Sequence, residues 1–196
     1  MKKSILFLIV AFAICCNVYS QHAVKSLSLQ PKIGVGLSKL TYHYNSDFRP
    51  GIVVGFETEY QVKPKLGLSV GVLYSQQGSK YMLGEENHHY EYNYFNIPVL
   101  TNFYVAKNLA LKVGLQLGLK SSSKDYLSMN GWETSQVNDN IKSVDVAIPL
   151  GISYEIGKFV ADARYNFGLT EVRLRSQFSV FQFTVGYRFD LIKGRQ

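Results

Sequence analysis

From Leu109 to Lys120 the chain reads Leu-Ala-Leu-Lys-Val-Gly-Leu-Gln-Leu-Gly-Leu-Lys, with Leu or Val at every odd position and Ala, Lys, Gly or Gln at every even one. A β-strand throws successive side chains to opposite faces, so this stretch has one aliphatic face and one polar, small-residue face. A helix would mix the two sets around its circumference. A strand of this kind suits a wall between lipid and a polar lumen.

The same period recurs along the chain and marks eight strands. Leu27, Leu29, Ile33, Val35 and Leu37 alternate with Ser28, Gln30, Lys32, Gly34 and Gly36. Ile52, Val54, Phe56 and Tyr60 oppose Val53, Gly55, Glu57 and Glu59. Leu66, Leu68, Val70, Val72 and Tyr74 oppose Gly67, Ser69, Gly71 and Ser75. Phe95, Ile97, Val99, Phe103 and Val105 oppose Tyr94, Asn96, Asn102 and Tyr104. After the Leu109 strand, Val144 to Tyr154 alternates with Asp145 to Glu155, Phe159 to Phe167 with Asp162 to Gly168, and Phe181 to Phe189 with Gln182 to Asp190. The connections alternate in length. Val62 to Lys65, Ala106 to Asn108 and Gly157 to Lys158 are tight. Ser38 to Pro50, Gly78 to His89, Ser121 to Lys142 and Thr170 to Gln177 are long and polar. Tight turns on one side and long loops on the other predict an all-β fold, an eight-stranded antiparallel up-and-down transmembrane barrel. An even strand count puts both termini on the tight-turn, periplasmic side.

Residues 1–20 read as a signal peptide, leaving 21–196 as one outer-membrane barrel domain. Lys2 and Lys3 supply the positive start, Ile5 to Ile14 the apolar core, and Val18 and Ser20 the small residues before a cut ahead of Gln21. The apolar run is too short to cross a bilayer, which takes about 20 residues. Both cysteines, Cys15 and Cys16, fall in this leader, so no disulfide or thiolate site is expected in the mature chain. Ile14 before Cys15 argues against a lipoprotein signal. The 21 Lys and Arg less the two in the leader, against 14 Asp and Glu, give a mature charge of +5. These charges are dispersed, with no basic helix, so nucleic acid is not an expected partner.

The polar faces carry Lys32, Glu57, Glu59, Lys112, Asp145, Asp162, Arg164 and Arg188. An eight-stranded barrel has an interior that side chains just fill. These residues are therefore expected to form a salt-bridged plug, since buried charges need partners and both signs are present. An ion path along them is the functional alternative. Ladder counting places residue 27 near 62 and Phe159 near Leu191. That register sets Lys32 opposite Glu57 and Asp162 opposite Arg188. Pro98 and Pro149 sit inside strand patterns on the polar face. They are read as bulges or rim positions, because proline cannot donate to a ladder.

His88 and His89 beside Glu85 and Glu86, with His43, fall in expected outer loops and read as solvated residues rather than a metal site. Ser79, His89 and Asp125 offer the residue types of a hydrolytic triad with no supporting spacing. Tyr90, Tyr92 and Tyr94 stand where a strand leaves a loop, as a stacking surface or as an interfacial girdle. The expectation is no catalytic, cofactor or metal site, and no enzyme.

Tyr94-Phe95-Asn96-Ile97-Pro98-Val99-Leu100, the stretch from Ile148 to Ile156, Ala161-Asp162-Ala163-Arg164-Tyr165-Asn166-Phe167-Gly168-Leu169-Thr170 and the closing Val185-Gly186-Tyr187-Arg188-Phe189 resemble the PorT-like outer-membrane β-barrel proteins, often labelled porin family. The resemblance covers the mature chain. It implies an eight-stranded barrel in the outer membrane of a Gram-negative cell and no single activity. The closing aromatic read by the assembly machinery would be Phe189. The expected role is structural or surface-interacting, in contact with outer-membrane lipid. The chain is expected to be a monomer, with extracellular or periplasmic proteins as candidate partners. A small-solute or ion channel and a soluble lipocalin-like ligand barrel are the alternatives. The last would turn its aliphatic residues inward.

Overall fold

The structure, a computed structural model, describes residues 23–40, 46–83, 86–129, 132–136, 143–170 and 177–194. The expected leader lies outside them. The strands in chain order are β1 (Leu27–Leu40), β2 (Ser46–Asp47), β3 (Arg49–Lys63), β4 (Leu66–Leu83), β5 (Glu86–Ala106), β6 (Leu109–Met129), β7 (Trp132–Gln136), β8 (Val144–Ile156), β9 (Phe159–Gly168), β10 (Phe178–Tyr187) and β11 (Phe189–Ile192). Antiparallel pairing runs β1, β3, β4, β5, β6, β8, β9, β10, and β10 returns to β1, so eight strands close a barrel. The three short strands prolong others. β2 pairs with β4 beyond β3, β7 pairs with β6 beyond β8, and β11 continues β10 onto the start of β1.

Tight turns at Pro64–Lys65, Lys107–Asn108 and Gly157–Lys158 join strands on one side. Gly157 takes φ 64°, while Lys158 does not enter the left-handed region. That is the backbone of a type II′ hairpin, which assigns its first central position to glycine.

The alternation predicted for each strand holds in space. On β6, Leu111, Val113, Leu115, Leu117 and Leu119 point outward, with Leu115 59% exposed, while Lys112 and Gln116 are buried. Ile33, Val35, Val54, Val70, Val99, Ile152 and Val185 extend this aliphatic belt around the wall. Its polarity is the inverse of a soluble ligand-binding barrel. From Leu109 to Leu119 the strand spans about 33 Å at about 3.3 Å per residue. Tilted as barrel strands are, that covers the apolar band of about 25 Å that such barrels show. Outer aromatics gather toward the belt's two edges. Tyr187 meets Phe159 edge-on at 5.3 Å and Phe189 tilted at 4.8 Å, and Tyr165 meets Phe181 tilted at 4.6 Å.

The expected long loops at 78–89 and 121–142 are largely strand. β4 and β5 stay paired to Leu83 and Glu86, and β5 and β6 to Asn87 and Ser128. Past Leu119, β6 runs ten further residues to Met129 through Lys120-Ser121-Ser122-Ser123-Lys124-Asp125, too polar for lipid. Ladder hydrogen bonds do not require lipid, so a paired hairpin continues after the apolar belt stops.

The prolines also depart from expectation. Ladder pairs on either side of Pro98 keep one register with β4, and those around Pro149 keep one register with β6. Neither is a bulge. Each lies mid-strand, paired on one side to Gln116 and Asn166 respectively. The missing N–H costs ladder contacts only toward the other neighbour.

Candidate functional site

Among the described residues the inward faces carry a paired charge cluster. At mid-barrel, Lys32 Nζ lies 2.6 Å from Glu57 Oε2 and 3.4 Å from Asp162 Oδ2. Lys112 Nζ reaches the same Asp162 oxygen at 2.8 Å and Glu57 at 3.8 Å. Arg164 Nη2 bridges Glu57 at 2.8 Å and Asp162 at 3.2 Å. All five residues are buried, although they come from β1, β3, β6 and β9. Glycines on facing strands make the room. A Cβ on Gly71 would stand 2.5 Å from Glu57 Cγ.

Toward the tight turns lies a second layer. Tyr104 donates its hydroxyl to Glu59 and approaches Glu155 at 3.2 Å, Gln30 Nε2 donates to Glu59 at 3.2 Å, and Arg188 Nη1 pairs with Glu155 at 2.7 Å. Toward the other end, Tyr92 and Tyr94 lie inside, each 1% exposed, with edge contacts to Phe178 at 5.8 and 6.1 Å. Neither belongs to the outer girdle. The alternation puts even-numbered residues of β5 inward, which overrides the usual interfacial placement of tyrosine. The side chain of Tyr90 is outside the described set.

All eight charged residues singled out from sequence lie on the inner wall. Lys32, Glu57, Lys112, Asp162 and Arg164 come together at mid-barrel. Glu59 and Arg188 belong to the second layer, and Asp145 is buried apart from both. The expected cross-strand pairs are not the observed ones. Lys32 is opposite Gly55 and Gly186, and Glu57 is opposite Gln30. The first register differs by two residues, which leaves every side chain on its face and lets the lysine reach its carboxylate diagonally. Asp162 is opposite Thr184, and Phe159 opposite Tyr187 rather than Leu191. The register with β1 is unchanged across Arg188, from Lys32–Gly186 to Leu29–Phe189, and shifts only between Asp190 and Ile192, so the ladder to β9 is in step at Tyr187 and not at Leu191. The Arg188 N–H turns to the Lys158 carbonyl at 2.7 Å, and its side chain goes to Glu155. Asp190, past the end of the ladder with β9, is exposed, off the inner face.

Gln30, Tyr104 and Glu155 were on the polar faces but absent from the charge set read from sequence. Strand phase alone would have included them. Among the described residues no group of His, Cys, Asp and Glu is arranged to hold a metal. His43 and Glu85 lie outside the described residues. His88 and His89 sit in β5, opposite Tyr81 and Lys80. Ser79 and Asp125 are both aligned with Tyr90, one step from His89.

A family model described as outer membrane protein beta-barrel domain matches residues 19–173. The chain belongs to the outer membrane protein β-barrel domain family. Its place is therefore the outer membrane. The crystal structure of Ail, the attachment invasion locus protein of Yersinia pestis, is similar at TM-score 0.54 and 17% identity, covering 85% of this chain and 100% of that one. The same protein in complex with the heparin analogue sucrose octasulfate gives 0.55 and 16% over the same shares. OprG from Pseudomonas aeruginosa gives 0.50 and 11%, over 87% and 98%. No curated protein matches the chain.

Proposed function

We propose that this member of the family is a monomeric, non-conducting outer-membrane barrel that works at the cell surface through the strands projecting beyond its rim. Within the family we read it as PorT-like, on the motifs around Tyr94–Leu100 and Ala161–Thr170, and as reaching the membrane after a leader is cut before Gln21. The observation that carries the functional reading is the continuation of β4, β5 and β6, joined by β7, for about 30 Å of strand past the last belt residue. Paired strands present a defined surface at small entropic cost, because their backbone is already fixed. The edge of β7 away from β6 pairs with no strand among the described residues, and such edges accept an added strand from a partner protein. The stacked charge and tyrosine layers support the non-conducting part. Ail, named for attachment and invasion, supports a surface role by fold alone.

Cutting the two projecting hairpins back to the rim tests this in cells. The trimmed barrel should still fold and insert, yet reproduce the phenotype of a full deletion. A trimmed barrel that behaves as the intact protein does would overturn the reading, and the channel alternative would replace it.

A further inference from the structure

The central cluster holds three cations, Lys32, Lys112 and Arg164, against two carboxylates, Glu57 and Asp162. Arg164 cannot shed its proton. Its Nη2 serves both carboxylates, but Nε and Nη1 are buried without a partner, in a residue only 3% exposed. Directly across the ladder stands Gln182, 1% exposed, with Nε2 unpartnered while Oε1 accepts from Asn166 Nδ2 at 3.3 Å. In this orientation the amide pair leaves Gln182 Nε2 as a spare donor on the Arg164 side and Asn166 Oδ1 as a spare acceptor. The Thr184 hydroxyl, the next inward group on β10, is also unpartnered. Arg164 and Gln182, directly opposite, have Cβ atoms about 4.5–5.5 Å apart, and Thr184, on the diagonal at about 7–8 Å, is still within reach of a long side chain such as Arg164.

We propose that Arg164, Gln182 and Thr184 hold a monatomic anion, a halide such as chloride, inside the barrel. Buried unpartnered donors on a charged group are costly, and a layer with a surplus cation raises the cost. Water would satisfy the donors but leave the charge. The layer toward the turns has the opposite surplus, Glu59 and Glu155 against Arg188. Those carboxylates already take hydrogen bonds from Tyr104, Gln30 and Arg188. The unpartnered Oδ1 atoms of Asp162 and Asn166 lie beside the donors. A tetrahedral phosphate or sulfate could not keep all its oxygens clear of them, whereas one small spherical ion can sit on the donor side.

The full chain is to be refolded into micelles in bromide and crystallised. Anomalous bromide density within hydrogen-bond reach of Arg164 Nε and the Gln182 amide is expected. In parallel, the melting midpoint should be higher in chloride than in gluconate at equal ionic strength. Gln182→Glu, which puts a carboxylate where the ion would sit, should abolish that difference. Absence of bromide at Arg164, with water alone in its place, overturns the proposal. So does a chloride-dependent shift that persists in Q182E. Should Q182E fail to fold, the bromide density in the unaltered chain decides.

Discussion

Lys32 Nζ lies 2.6 Å from Glu57 Oε2, although Lys32 faces Gly55 across the ladder and Glu57 faces Gln30. The pair is diagonal. It forms because a register displaced by two keeps both side chains inward, and because Gly186 leaves space beside the lysine stem, where a Cβ would stand 2.8 Å from Lys32 Cγ. Charge pairing in this lumen is thus set by which face a residue occupies more than by which residue it opposes.

Asp162 is the most shared acceptor, with Lys32, Lys112 and Arg164 all within 3.4 Å of Oδ2. Asp162→Asn leaves these cations with one carboxylate and should cost about 3–5 kcal/mol. Reversible denaturant unfolding from micelles measures it. A loss below about 1 kcal/mol would mean that the cations find other partners in the lumen.

The belt gives a depth-dependent expectation. Leu115→Arg, at mid-strand, should cost about 2–4 kcal/mol, whereas Leu119→Arg, where β6 leaves the belt, should cost about 0–1 kcal/mol. Equal costs at both positions would contradict the placement of the apolar band.

Gly71 sits where the Glu57 stem and the Phe56 carbonyl both approach, each 2.5 Å from where a Cβ would stand. The carbonyl belongs to the backbone and cannot swing away. Gly71→Ala should therefore cost about 1–3 kcal/mol by overpacking, read as a lower unfolding midpoint. An unchanged midpoint would show that β3 and β4 have slack at this level.

The fold and the inward set were legible because a period of two is rigid. Once Leu115 faces lipid, Gln116 must face the lumen, and the same reasoning carried Lys32, Glu57, Asp162 and Arg188 inward. Register was less legible, since a slip of two preserves every face and the sequence pattern is blind to it. The shift between Asp190 and Ile192 is illegible for a similar reason, because nothing in Asp190-Leu191-Ile192 marks a bulge. Tyr92 and Tyr94 were drawn toward the girdle by residue type, when their even numbers already assigned them to the interior. The strands past Leu119 read as loop because their polar composition hides the period of two, although it ends only the apolar belt and not the ladder.

Phe178→Ala removes the ring that meets both Tyr92 and Tyr94. It should cost about 3–5 kcal/mol as a large-to-small core change, yet leave the barrel closed, because the charge layers lie beyond it. A drop in unfolding stability without any conductance is the expected pair of results, and a conducting F178A barrel would show that the tyrosine layer alone closes the lumen.

Single-channel recording on the purified intact protein in planar bilayers tests the central claim most directly. A lumen filled by Lys32, Glu57, Lys112, Asp162 and Arg164 at mid-barrel, with Tyr104, Glu155 and Arg188 toward the turns, should give a quiet baseline with no steady steps. Reproducible unitary steps from the unaltered barrel would contradict it and make the charged lumen an ion path.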